Sequence, residues 1–310
     1  MNAITPCPAS PGSTSRAYLG ISGALLLWGL NYWIGRCLAS PVLFGTVHMP
    51  GIVYGFLRYA LGAITLWLVL WLGRSAGRGL FSGLSRHGRA LFWSTLASSV
   101  FVMTVHASQA YLSATTTAVI VNLCPVLVLG YGVIFLHEGL PLPRLVGFGL
   151  GLVAGMVFLA LSWTDGQGDG RGTGVLLSLL AMLAWAAYTI SLHHLKGLDR
   201  TLVLALQQTA ATLLMLPFLL AYGAARPIFV VPDLWSALGL AFGGILCSAV
   251  AYLLYFDAIR SLGATRVASI LTLVPVVTLL GDALLGDLPT PFALLAAALA
   301  IGGVALIRRS

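Results

Sequence analysis

The pattern of apolar and polar positions divides the chain into long apolar runs, separated by short stretches that carry Pro, Gly or charge. Runs of about 20 apolar residues have the length of a helix that crosses a bilayer. The pattern predicts ten spans, at about 17–36, 51–73, 90–110, 115–136, 143–162, 172–194, 201–222, 234–257, 264–285 and 290–307. Because the start of the chain is rich in Pro, Ser and Thr, we expect residues 1–16 to be a disordered cytoplasmic tail.

One apolar segment occurs twice. LSATTTAVIVNLCPVLVL, from Leu112 to Leu129, aligns without a gap with LGATRVASILTLVPVVTL, from Leu262 to Leu279, and nine of the eighteen positions are identical. The chain is therefore a duplication, with repeats at 17–162 and 172–310 and a periplasmic linker at 163–171. Since five spans are an odd number, the second copy is inverted. The predicted fold is an all-α polytopic membrane protein of ten transmembrane helices in two inverted five-helix repeats.

Composition agrees with this fold. The chain is 59% hydrophobic and 8% charged, whereas an ordinary soluble domain is about 25% charged. The net charge of +8 does not indicate a nucleic-acid partner, because twelve of the sixteen Lys and Arg fall on one side of the predicted spans. The positive-inside rule makes that side cytoplasmic. We expect a monomer in the lipid bilayer of the inner (plasma) membrane, rather than an obligate oligomer, with both termini in the cytoplasm.

The cysteine and glycine patterns do not predict a cofactor. The four cysteines have neither paired nor metal-type spacing, so we expect unpaired packing residues, no metal and no cofactor. Gly149, Gly151 and Ala154 resemble the glycine fingerprint of a dinucleotide-binding site. Because they lie inside a predicted span and no strand precedes them, we do not predict such a site.

Inverted repeats whose helices are interrupted at the centre are typical of transporters. The Arg58-Tyr59 pair of the second span, the A-T-x-x-A start and central proline of the fourth and ninth spans, and the His137-Glu138 pair after the fourth resemble the EamA-type drug/metabolite transporters. The resemblance covers about residues 17–308. The resemblance implies export of amino acids and other small metabolites, and the aromatic amino-acid exporters are one candidate branch of the family for this chain. The second copy departs from the pattern, with Asp287 in place of Glu138 and Gln208 near the place of Arg58.

The central prolines are the first candidate features. Pro125 and Pro275 remove helical hydrogen bonds to the carbonyls of Val121 and Leu271. These interruptions are either structural kinks or acceptors for a ligand. Asn122 and Thr272, three residues before each proline, either satisfy those carbonyls or bind substrate.

A polar and aromatic face of the first span contains Trp28, Asn31 and Tyr32. The sixth span places Trp185 and Tyr188 at the corresponding positions. These residues either line an internal cavity or form an interfacial aromatic belt. Since the belt suits tryptophans at span ends better, we predict that all five are substrate-binding residues.

Three further candidates lie in other spans. His106 is either a packing residue or a proton carrier, and both His106 and Tyr252 join the predicted substrate-binding set. Arg58 is a cation inside a span, with either a functional role or a structural pairing to a helix C-terminus or a carboxylate.

The expected function is export of small neutral or zwitterionic metabolites by alternating access. The expected substrates are amino acids, with a preference for aromatic ones. All eight acidic residues fall in loops or near span ends, where Asp257 and Asp282 are expected to be hydrated, so a cationic substrate finds no deep carboxylate. The alternatives are other drugs or metabolites, such as lipophilic compounds or sugar derivatives, and a membrane-embedded lipid-modifying enzyme. The enzyme would need a catalytic constellation, and the only adjacent acid and base are His137 and Glu138. We therefore expect no catalytic residue.

Overall fold

The computed structural model describes residues 11–41, 45–73, 85–137, 139, 141–164, 171–195, 197–284 and 290–309. Within these ranges every regular element is helical, and no strand is present. The helices are α1 (Pro11–Ala39), α2 (Gly51–Leu72), α3 (Gly88–Ser108), α4 (Ala114–Val121), α5 (Pro125–Phe135), α6 (Leu142–Thr164), α7 (Arg171–His193), α8 (Arg200–Ala225), α9 (Leu234–Ala241), α10 (Ala251–Leu262), α11 (Ala264–Leu271), α12 (Val274–Leu284) and α13 (Pro291–Arg309). A short 3₁₀ turn, Ser85–His87, precedes α3, and a π-helix, Phe242–Val250, joins α9 to α10.

The protein is a multi-pass membrane protein. Among the described residues, eight helical segments are long and apolar enough to cross a bilayer: Thr14–Ala39, Gly51–Leu72, Gly88–Ser108, Ala114–Phe135, Gly172–His193, Arg200–Ala225, Leu234–Leu262 and Ala264–Leu284. Two shorter apolar stretches, Leu145–Val157 and Leu294–Leu306, lie within α6 and α13. The sequence placed its fifth and tenth spans at these stretches, and the count of ten remains a prediction.

The helix is interrupted in both copies of the duplicated segment. The first divides into α4 and α5 at residues 122–124, and the second divides into α11 and α12 at residues 272–273. Because a proline has no N–H to donate, the helical hydrogen-bond pattern is interrupted near Pro125 and Pro275. The helices α4 and α11, which precede the interruptions, each have a defined start. The hydroxyl oxygen of Ser113 accepts from the N–H of Thr116 at 3.1 Å at the start of α4, and Gly263 precedes α11 with φ 86°.

The core consists of packed helix pairs, and each pair joins one helix of the first half of the chain to one helix of the second half. α1 packs along α10, α3 along α7, α2 along α8 and α6 along α13, while α4 packs against α12. Gly303 allows α13 to approach α6, because a Cβ there would lie 2.5 Å from the carbonyl oxygen of Gly147. The two broken helices and the helices α1, α2, α3, α7 and α10 therefore surround one common centre.

Three helix ends lie beyond the bounds expected from the sequence. Residues 11–16, expected to be part of a disordered tail, belong to α1, which begins at Pro11, a residue suited to the first turn of a helix. Residues 1–10 lie outside the described part of the chain. The seventh span is longer than expected, since α8 continues to Ala225, and the eighth continues to Leu262.

Candidate functional site

A small cavity lies at the centre of the bundle, with a volume of about 30 Å³. Eight of the residues singled out in the sequence line it: Trp28, Asn31, Tyr32, Arg58, His106, Asn122, Trp185 and Tyr252. The remaining lining residues are Phe101, Val105, Val121, Leu271 and Val274. This volume suits one or two water molecules, whereas pockets for small organic ligands measure about 300–1,000 Å³. In this conformation the cavity is therefore too small for an organic ligand of that size.

Aromatic rings form one side of the cavity. The ring centroids of Trp28 and Trp185 are 5.2 Å apart with the planes at 87°, and Tyr252 lies edge-on to Trp28 at 5.2 Å. Tyr255 stacks on Trp185 at 5.2 Å, and Phe101 lies 4.6 Å from the same indole. The two tryptophans occupy corresponding positions of the duplicated sequence, and the packing of the two halves brings them into edge-on contact. Edge-on and offset arrangements of this kind are the favourable ones for aromatic rings.

Hydrogen bonds hold the indole of Trp28 and the side-chain amide of Asn31 in place. The Nε1 of Trp28 donates to the carbonyl oxygen of Cys247 in the π-helix, at 3.0 Å. One turn along α1, the Oδ1 of Asn31 accepts from the hydroxyl of Tyr54 at 2.7 Å. The Oδ1 of Asn31 is thereby occupied, and the residue lines the cavity. Tyr54 is fully buried and was not singled out in the sequence, where it reads as an ordinary aromatic residue.

Arg58 is the charged group of the site. Its side chain is buried, its Nε donates to the Oγ of Ser248 at 2.9 Å, and its Nη1 lies 2.9 Å from the Nε2 of His106. Among the described residues, the hydrogen-bonding partners of Arg58 are therefore a hydroxyl and an imidazole, whereas the structural alternative required a helix C-terminus or a carboxylate. Gln208 occupies the corresponding place in the second half and also reaches this point, since its Nε2 donates to the carbonyl of Ser248.

The π-helix brings Ser248 to Arg58. Its hydroxyl donates to the carbonyl of Gly243, five residues earlier, at 2.8 Å. Small residues let the helices approach here, because a Cβ at Gly62 would collide with Gln208 and Ser248. π-Helical turns inside α-helices occur often at functional sites. No sequence signal identified this one, although the Gly243-Gly244 pair marks a close approach.

His106 and Gln109 extend the polar network. The Nδ1 of His106 lies 3.0 Å from the Oε1 of Gln109, whose Nε2 donates to the carbonyl of Tyr32 at 3.2 Å. Because an arginine has only donors, the Nε2 of His106 accepts from Arg58 and its Nδ1 carries the proton, an assignment inferred from the network. His106 is therefore a neutral, fully bonded histidine in this conformation.

The ends of the broken helices reach the cavity through Asn122 but not through Thr272. The Nδ2 of Asn122 donates to the carbonyl of Ala118 at 2.7 Å, and the Oγ1 of Thr272 donates to that of Ser269 at 2.7 Å. Thr272 lines a smaller gap behind the cavity, next to Pro125. The carbonyl of Val121, expected to lack a partner, accepts from the N–H of Cys124 at 3.2 Å, because the turn tightens where the proline stops the helix.

Tyr188 does not line the cavity. It packs behind Trp185, with ring centroids 5.4 Å apart, and its hydroxyl lies 3.5 Å from the Oε1 of Gln207 in α8. Its place is therefore to support the aromatic cluster from outside.

Polar contacts close the bundle at two ends. At one end the hydroxyl of Thr115 donates to Asp282, and Arg36 donates to the carbonyl of Gln109. At the other end Arg200 forms an ion pair with Asp257. Both aspartates were expected to be hydrated; Asp257 is 40% exposed and Asp282 is partly exposed, and each also contacts another helix.

A larger groove of about 540 Å³ lies between α1 and the α9 segment. Its lining is almost wholly apolar and includes Trp33, Leu38 and Phe242, and neighbouring side chains such as Leu238 are exposed at the protein surface. The central cavity is the better candidate site, because it combines ring surfaces with a cation and amides. In the described part of the chain, no three His, Cys, Asp or Glu side chains lie together as metal ligands would.

Comparisons with known proteins agree with a transporter. A family model described as the EamA-like transporter family matches the chain twice, at residues 15–161 and 172–309, once in each half. An uncharacterized transporter of Archaeoglobus fulgidus is 27% identical over 199 residues, which are 63% of this chain and 67% of that protein. The uncharacterized transporter YoaV of Bacillus subtilis is 23% identical over 267 residues, or 85% and 86% of the two chains. One solved crystal structure superposes with a TM-score of 0.68 at 17% identity, covering 95% of this chain and 98% of the other, so the two share a fold.

Proposed function

Since this chain belongs to the EamA-like transporter family, we propose that it exports small neutral or zwitterionic metabolites, and that its preferred substrates are amino acids with aromatic side chains. It acts as a monomer in the inner membrane, without a nucleic-acid partner. Its ten spans form two inverted repeats with both termini in the cytoplasm, and alternating access moves the substrate.

The observation that carries the substrate class is that the central cavity is lined by both aromatic rings and polar groups. Trp28, Trp185 and Tyr252 offer flat apolar surfaces that already contact one another edge-on. Asn31 and Arg58, which line the same cavity, offer hydrogen-bond donors. A ligand with an aromatic ring and a polar end matches both kinds of group, because its ring replaces the ring contacts that it separates.

The contacts at the two ends supply gates that alternating access requires. In the proposed topology, Thr115–Asp282 and Arg36–Gln109 lie on the outer side, and Arg200–Asp257 lies on the inner side. Each set joins helices from different parts of the bundle. Opening of one set while the other stays closed exposes the cavity to one side at a time.

Uptake by proteoliposomes tests the proposal. At equal concentration, phenylalanine and tryptophan should enter faster than lysine, glutamate or a quaternary ammonium dye. A clear preference for the dye or for a phosphorylated sugar would contradict the amino-acid assignment and favour the other drugs and metabolites.

The enzyme alternative is tested with the same vesicles. A lipid-modifying enzyme would change the lipid composition without moving any solute, whereas a transporter leaves the lipids intact. Glu138, one half of the only adjacent acid and base, lies outside the described residues, and His137 has a positive φ of 52° at the end of the broken span.

A further inference from the structure

Arg58 is a buried cation whose partners are all uncharged. Its side chain is 3% exposed. Its two hydrogen-bonding partners are the hydroxyl of Ser248 and the neutral imidazole of His106, both at 2.9 Å. Within the described part of the chain, no hydrogen bond reaches its third nitrogen, Nη2. The centre of the bundle therefore carries one positive charge.

No acidic side chain in the described residues neutralises this charge. Besides His106, the ionisable groups that interact electrostatically with Arg58 include Tyr54, Tyr59, Tyr252 and Cys247, all of which are neutral when protonated. Each of the four described aspartates is engaged elsewhere: Asp199 by the N–H of Leu202, Asp233 by His48, Asp257 by Arg200 and Asp282 by Thr115.

A buried charge is costly unless an opposite charge and good hydrogen bonds accompany it. A guanidinium presents its N–H groups as a planar fork that fits both oxygens of a carboxylate. Arg58 lines the same cavity as Asn31 and Trp28. A ligand carboxylate placed there supplies the missing negative charge while the ligand ring lies among the aromatic side chains.

The same cavity holds nothing of comparable strength for an ammonium group. None of its lining residues is Asp or Glu, so an amino group meets only amide oxygens, backbone carbonyls and ring faces. A zwitterion therefore leaves the buried charge at plus one, whereas a monocarboxylate without an amino group cancels it.

We propose that Arg58 binds the carboxylate of the aromatic substrate and that the amino group of the substrate is dispensable for binding. This rests on the proposed function, since it names the end of an aromatic amino acid that the site recognises. Among compounds with the same ring, the carboxylate decides binding.

Four compounds separate the two polar ends: 3-phenylpropionate has only the carboxylate, phenylalanine has both groups, phenethylamine has only the amine, and 3-phenylpropionamide is neutral. Their dissociation constants are measured on the purified protein, and each is tested as a competitor of labelled phenylalanine uptake in proteoliposomes. We expect 3-phenylpropionate to bind at least as tightly as phenylalanine, and both carboxylates to bind at least tenfold more tightly than the amine and the amide.

Arg58→Gln should bring the carboxylates and the amide to within about threefold of each other, and Arg58→Lys should restore part of the preference. Arg226→Gln is the matched control, because it removes the same charge at an exposed position at the end of α8 and should leave the preference unchanged. Gel filtration and thermal unfolding check that each variant folds, and the wild-type comparison stands without them.

Equal binding of the amide and the carboxylates by the wild-type protein, or 3-phenylpropionate binding more than tenfold more weakly than phenylalanine, would overturn the assignment of Arg58 while phenylalanine transport kept the proposed function. If phenylalanine is neither bound nor transported, the proposed function itself is wrong and this inference goes with it.

Discussion

Replacing Trp28 separates the two contributions of this side chain, the hydrogen bond of its N–H and the contacts of its ring. The N–H donates to Cys247 at 3.0 Å, and the ring lies 5.1–5.2 Å from those of Trp185, Tyr252 and Tyr255. Trp28→Phe removes the donor and keeps a ring, so it should lower the free energy of unfolding by about 0.5–1.5 kcal/mol. Trp28→Ala also leaves a cavity in the aromatic cluster and should cost about 3–5 kcal/mol.

The effect on substrate affinity follows from the ring alone. One aromatic contact contributes about 0.5–1.5 kcal/mol, which corresponds to a change of about 2- to 13-fold in the dissociation constant. Trp28→Ala should weaken phenylalanine binding by that factor, whereas Trp28→Phe should leave it close to the wild-type value. Thermal unfolding in detergent reports the stability, and competition against labelled phenylalanine reports the affinity.

Trp71→Phe is the control for this pair of variants, since Trp71 is 75% exposed on the outside of the bundle and should change neither quantity. The reasoning fails if Trp28→Phe unfolds at the wild-type temperature, because the bond to the π-helix would then contribute nothing. It also fails if Trp28→Ala folds and binds phenylalanine as tightly as the wild type does.

Three more outcomes are expected. Replacing both Pro125 and Pro275 with alanine should restore helical N–H donors and slow transport at least fivefold with the fold retained, and wild-type initial rates would make the breaks purely structural. Cysteines introduced at position 80 should be labelled only from the cytoplasm and at position 168 only from outside, and labelling from the same side would refute the inverted topology. A hydrogen bond from the backbone N–H of Ser236 holds the pKa of Asp233 below its ordinary value, so the stability from this cap is full at neutral pH and is lost as the pH falls through that lowered pKa. Acid titration of Asp233→Ala should lack this step, and an unchanged acid transition would show that the cap contributes nothing.

Much of the fold follows from the sequence, because long apolar runs leave few alternatives to helices in a membrane. The duplication adds more, since two copies that pair across one centre bring corresponding positions together. Trp28 and Trp185 meet for this reason, and so do the turns before Pro125 and Pro275. These features depend on spacing along the chain, which a sequence records directly.

Whether a predicted residue lines the cavity depends on the rotation of its helix about the helix axis. Tyr188 follows Trp185 by three positions and shares its general face, but it points toward Gln207 of α8 rather than into the cavity. The π-helix is a larger omission. Its extra residue per turn depends on contacts with other helices, such as Leu61 against Gly244 and Tyr54 against Gly243, and a helical repeat of 3.6 residues gives no sign of it.

A final prediction tests whether the π-helix serves to hold Arg58. Ser248 and Ser99 are both buried serines whose hydroxyls donate to a carbonyl of their own helix, at 2.8 Å in each case. Only Ser248 also accepts from Arg58. A hydrogen bond to a charged group contributes about 1.5–3 kcal/mol, whereas the loss of the Ser99 hydroxyl should cost about 0.5 kcal/mol.

Ser248→Ala should therefore lower the unfolding temperature clearly more than Ser99→Ala does. Because the guanidinium loses one of its two anchors, the same variant should bind 3-phenylpropionate several-fold more weakly while its binding of 3-phenylpropionamide changes little. Ser99→Ala should preserve both affinities. Equal unfolding temperatures for the two variants, together with an unchanged preference for the carboxylate, would mean that His106 alone positions Arg58 and that the π-helix has no part in forming the site.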